Sequence, residues 1–155
     1  MFDRTKFEAL ASENLNLWDY RSAYRGLSYC IYPQHAFSLP DSEQMIRIAR
    51  APKEIDDSGL KFWINAEFLD DWRDRESYFQ PYLAASLFRP IDEQEFNRLV
   101  REQVQGLVVP IDLPLHPLTG FVGGLAMYTM ERDFVVSVFA EYEDEFIHFF
   151  WNTTA

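Results

Sequence analysis

The stretch that decides the fold is Phe139-Ala-Glu-Tyr-Glu-Asp-Glu-Phe-Ile-His-Phe-Phe-Trp-Asn152. Side chains alternate between the two faces of a strand, so a run this rich in rings reads as two strands folded back on a short polar turn. With the turn centred on Glu143-Asp144, Ala140 faces Ile147, Val138 faces Phe149 and Val136 faces Trp151, an apolar set that marks a core face. The opposite face pairs Glu141 with Phe146, Phe139 with His148, Ser137 with Phe150 and Val135 with Asn152. Its mixture of rings and polar groups fits either a second core layer under helices or a partly exposed recognition surface.

Working upstream, Phe121–Met130 and Phe134–Tyr142 are further apolar runs, divided by Glu131-Arg132-Asp133, and with Glu145–Asn152 they predict a three-stranded antiparallel meander. Gly120, Gly123 and Gly124 near the start of the first run predict a bulge or a close approach. Prolines 110, 114 and 117 deny regular ladder bonding, so Val108–Leu118 reads as an extended connector.

The strongest local signal precedes that connector, in Ile91-Asp-Glu-Gln-Glu-Phe96. Asp92 is placed as N-cap with Glu95 closing a capping box. Ile91 and Phe96 form a hydrophobic staple, and Phe96, Leu99, Val100 and Val104 line one helical face before Gly106. Further upstream the pattern predicts a helix over about residues 4–23 and a strand over 27–32 stopped by Pro33. It also predicts a helix from the N-cap Asp41 to Pro52, a short strand Leu60–Ile64, and a helix from Asn65 that Pro81 breaks, with another turn or two after it. The expected fold class is therefore α+β, several helices packed on an antiparallel sheet that ends in the meander. Residues 1–155 read as one domain, since no repeat or low-complexity tract divides them.

Composition bounds the function. Aromatics are 17% of the 155 residues, too many for intrinsic disorder, and a chain of this length buries about 68–70% of its unfolded surface. The formal charge of −11 sets the surface against nucleic-acid phosphate and anionic membrane. The densest basic stretch, Arg47, Arg50 and Lys53, runs straight into Glu54, Asp56 and Asp57. Cys30 is alone, which excludes a disulfide framework and a cysteine-rich zinc site and suits a reducing cytoplasm; its context reads as a buried structural thiol. The first residues lack the cationic start and apolar run of a signal peptide.

No motif fixes a chemistry. Glu145 and His148 stand in an E-x-x-H spacing that would converge on a helix but diverges on a strand, so no metal site and no cofactor are expected. His35 and His116 read as loop residues in proline-flanked contexts, and no phosphate loop, nucleophile elbow or dinucleotide fingerprint occurs. The acid-rich segment after Asn65 offsets its own charge, Asp71 with Arg75 and Asp70 with Arg73, as a solvated helix face does.

The leading expectation is a non-enzymatic, cytoplasmic binding protein whose acidic surface neutralises or escorts a basic partner protein. Toxin-immunity inhibitors and acidic secretion chaperones share this profile. Contacts are expected from Glu141, Glu143, Asp144, Phe146 and His148 at the last hairpin, with Glu67, Asp70, Asp71 and Asp74 as a second patch and no catalytic residue. The competing expectation is a small-molecule enzyme or ligand carrier with a pocket round His148, between sheet and helices. A structural oligomer is a third class compatible with the composition.

Overall fold

The computed structural model describes residues 4–12, 24–39, 41, 43–53, 59–69, 76–128 and 134–154. Its elements run α1 (Arg4–Ser12), β1 (Ser28–Tyr32), β2 (Gln44–Pro52), α2 (Leu60–Glu67), α3 (Glu76–Ala84), β3 (Leu87–Ile91), α4 (Glu93–Val104), β4 (Phe121–Tyr128), β5 (Val135–Tyr142) and β6 (Glu145–Thr153). The strands form one antiparallel sheet of six in the order β1-β2-β6-β5-β4-β3, so the class is α+β, and the meander β4-β5-β6 lies at its centre. Among the described residues no helix is long and apolar enough to cross a membrane.

The hairpin register is the one the alternation predicts, from Glu141 opposite Phe146 to Val135 opposite Asn152. Both faces of that hairpin are buried. On one side α1, α2 and α3 lay Phe7, Phe62, Trp63 and Phe79 over Ala49, Ala51, Phe88, Leu125, Met127, Phe139 and Phe146. The rings interlock, Phe62 stacking on Phe146 at 5.5 Å and Phe7 meeting Trp63 edge-on at 5.4 Å. On the other side α4 brings Phe96, Val100 and Val104, and the connector brings Leu107 and Leu115, onto Ile46, Ile48, Val138, Ala140, Ile147 and Phe149. A sheet covered twice needs apolar residues at successive positions, which is why the hairpin is so dense in aromatics.

Helix α4 forms as expected with Asp92 as its N-cap, accepting from the Glu95 amide at 2.8 Å, and with Ile91 and Phe96 both buried; the capping box does not close, because the Glu95 carboxylate turns to Arg98 and Arg89 instead. The bulge falls between Phe121 and Gly123. The region before Pro52 is different from the expectation, since Gln44–Pro52 is a strand paired to β1 on one edge and β6 on the other. Ile46 and Ile48 point to the α4 side while Arg47, Ala49 and Ala51 point to α1–α3, and this period of two, supported by two ladders, overrides the helix preference of Ala, Arg and Met. Leu60–Ile64 in turn is helical, because an unbroken apolar run carries no period of its own; the helix α2 starts behind Gly59, held at φ +86°. Pro81 lies inside α3, which continues to Ala84 and is followed by β3. The first helix is described to Ser12, and the rest of the expected span lies outside the described residues.

Candidate binding site

Strand alternation divides the expected hairpin site into two parts. Glu141, Phe146 and His148 turn toward α1–α3 and are each 0% exposed, so they are not surface contacts; the mixed face is a second core layer. Glu143 and Asp144, at the turn itself, are exposed. In the second expected patch Glu67, the last residue of α2, is also buried, while Asp70, Asp71 and Asp74 lie outside the described residues. The sequence marks Glu141 and Glu67 as polar but holds no signal for the helical layer that seals them.

Beneath those helices lies a set of buried polar side chains. His148 Nε2 is 3.1 Å from Ser137 Oγ and 3.5 Å from Glu67 Oε1. The Arg47 guanidinium stacks over Phe150 at 4.8 Å, and Lys53 Nζ reaches Glu141 Oε2 at 3.1 Å. Burial first, and the Arg47 charge second, hold the His148 imidazole well below its ordinary value of 6.5, so the ring is neutral. Ser, His and Glu together invite a nucleophilic reading, but the geometry does not support it. A triad sets the nucleophile on one ring nitrogen and the carboxylate on the other, whereas here both approach Nε2 and Nδ1 makes no hydrogen bond. The cavity that Ser137 lines, with Phe7, Trp63, Phe88 and Phe139, is about 10 Å3, room for no more than a water. Glu145 and His148 project to opposite faces of β6, so the E-x-x-H spacing brings no shared ligand position.

The open chemistry lies at the end of the sheet where β1, β2 and the hairpin tip meet. Pairing sets Ser28 opposite Arg50, and Arg50 makes a two-pronged ion pair with Glu145 of β6. His116 departs from the surface position its proline-flanked context suggests: it is buried, stacked 3.8 Å from the Tyr142 ring, and ties the connector to the hairpin tip. Its Nδ1 meets the Leu118 carbonyl at 2.9 Å and its Nε2 meets Asp144 Oδ1 at 2.8 Å. Burial, then the neighbouring Glu93 carboxylate, push the Tyr142 hydroxyl upward, so the ring under His116 stays a neutral phenol.

Two open clefts flank this end, each of about 440 Å3. One runs along β1 past Cys30 and Tyr32 to Ile111, Asp112 and Leu115; the other lies between Gly26, Pro52, Asp144 and Glu145, and Ser28 and Arg50 line both. Cys30 is exposed here, not buried, because β1 is an edge strand and only its inner edge is paired. Burial raises the Tyr32 hydroxyl, with a contribution from its Cys30 neighbour. Arg50 and Asp112 are the site residues that sequence reading missed. The signal for Arg50 was the Ile46-Arg-Ile-Ala-Arg50 alternation, which, read as a strand, sets Arg50 against β1.

No family model matches the chain, and no curated protein or solved structure is detectably similar to it.

Proposed function

We propose that this chain is a non-enzymatic acidic binding module that neutralises or escorts a basic partner protein. The observation that carries the reading is the charge at the open end of the sheet. Asp112, Glu143 and Asp144 are exposed there, and among the described residues Arg50, the base that lines both clefts, is already engaged by Glu145. A lysine or arginine arriving from outside therefore meets Asp112 and Glu143, which carry no ion pair among the described residues, and shares Asp144 with His116. The whole-chain charge of −11 adds a long-range attraction for a cationic protein. Relative to the sequence expectation, the contact set keeps Glu143 and Asp144, loses the buried Glu141, Phe146, His148 and Glu67, and gains Asp112.

The test is a pull-down from native cell lysate at low salt, with identification of what elutes as salt rises, followed by association kinetics on that partner. Binding weakens steeply with ionic strength and the double reversal Glu143→Lys, Asp144→Lys slows association if the reading is right. An affinity indifferent to both removes it.

A further inference from the structure

The two edges of the sheet are treated differently. At the β3 edge Arg89 and Pro90 face outward, Arg89 bonded to Tyr128 and Pro90 lacking an amide hydrogen, two devices that discourage another strand from joining. The β1 edge, Ser28-Tyr-Cys-Ile-Tyr32, has no proline, no charge and no bulge. Among the described residues, the backbone of Tyr29, Cys30 and Ile31 makes no hydrogen bond outside the β1–β2 ladder. Every second backbone N–H and C=O of this strand therefore points away from the sheet. Tyr29 is 56% and Ile31 47% exposed on the α1–α3 side of that edge, where they would flank an added strand.

On the other side of the same strand lies the cleft walled by Pro110, Ile111, Asp112 and Leu115. Asp112 stands in its wall, and Asp144 and Glu145 line the adjoining cleft that shares Ser28 and Arg50 with it. Among the described residues the nearby bases are Arg25, exposed just before β1, the engaged Arg50, Arg47, buried opposite Ile31, and Lys53, paired with Glu141. Such an edge selects by charge among strands that its backbone would accept alike. A second copy of this chain brings another charge of −11 and its own acidic cleft, which favours a cationic occupant instead.

We propose that the outer edge of β1 receives an extended, lysine- or arginine-bearing strand of the basic partner, enlarging the sheet to seven strands. This rests on the function proposed above and names the manner of binding. Main-chain bonds to β1 supply affinity. Alternate side chains of the incoming strand pack on Tyr29 and Ile31 on one face and reach Asp112 on the other, which supplies selection.

The probe is a synthetic peptide alternating lysine and valine, titrated onto the intact protein beside a peptide of the same sequence with alternate amides N-methylated. Methylation preserves charge and composition and removes the donors along one edge. The proposal predicts that the unmodified peptide binds and that the methylated one binds at least about tenfold more weakly. It also predicts that the alternate amides of Ser28–Tyr32 that exchange freely in the free protein become protected from hydrogen exchange. Equal, salt-sensitive binding of both peptides overturns strand addition and leaves the acidic-surface reading intact. Binding of neither peptide also overturns strand addition, and the salt and charge-reversal test then decides the function separately. A peptide-free protein that sediments as a dimer with its β1 amides already protected overturns the cationic occupant and assigns the edge to a second copy.

Discussion

At the scale of single residues, the chemistry is governed by what the two helical layers exclude. His148 shows this most clearly: it is fully buried, its proton-binding is suppressed by desolvation and by Arg47, and the ring sits among Ser137 and Glu67 without solvent. In the unfolded chain the same ring binds protons near 6.5, so below that pH the unfolded state holds more protons than the folded one. Stability associated with His148 is complete above about 6.5 and is lost as pH falls toward the depressed folded value. Urea unfolding followed from pH 7.5 down to pH 5 should therefore show a falling midpoint, and His148→Gln should remove part of that slope. A slope identical in the variant contradicts the buried neutral ring. Gly59 makes a steric counterpart. A Cβ there would lie 2.8 Å from Phe139 Cζ, at a backbone φ of +86° that side chains disfavour, so Gly59→Ala should cost about 1–3 kcal/mol by denaturant titration.

At the scale of elements, what could be read in advance divides by how local its cause is. Helix α4 was legible because its cap, its staple and its stripe are all written within sixteen residues of each other, and the Asp92 carboxylate does accept the Glu95 amide. Asp92→Ala should lower stability by about 1 kcal/mol, seen as a shifted midpoint with an unchanged denaturant slope. The last hairpin was legible for the same reason, since its short turn fixes the register of Glu141 with Phe146 and everything beyond. Strand β2 was not. Gln44–Pro52 is rich in helix formers, and its strand state depends on β1 before it and on β6, almost a hundred residues further on. Helix α2 failed to declare itself for a related reason, an apolar run whose period only the layer above the sheet resolves.

At the scale of the whole molecule, the sheet is a partition. Its two faces are both core, α1–α3 against one and α4 with the connector against the other, so contact with anything outside is left to edges and ends. Among the described residues, Asp112, Glu143 and Asp144 are exposed where β1, β2 and the hairpin tip meet, with His116 bracing the tip from inside. Reversing Glu143 and Asp144 together should therefore reduce the association rate for a cationic partner and flatten its dependence on ionic strength, while Glu143→Lys alone, which leaves the Asp144–His116 contact in place, should do so with little change in stability. Stopped-flow measurements at two salt concentrations check this, and an unchanged rate at low salt would place the contact elsewhere.

Sequence alone determined the class of fold, the hairpin register, the α4 helix and the acidic balance, because alternation, capping and net charge are local or additive properties of the chain. Only tertiary structure decided that Gln44–Pro52 is a strand, that Glu67, Glu141 and His148 are sealed, and that Arg50 meets Glu145. Each of these depends on which distant segment packs alongside, and burial and pairing are properties of the assembled layers that no single segment carries.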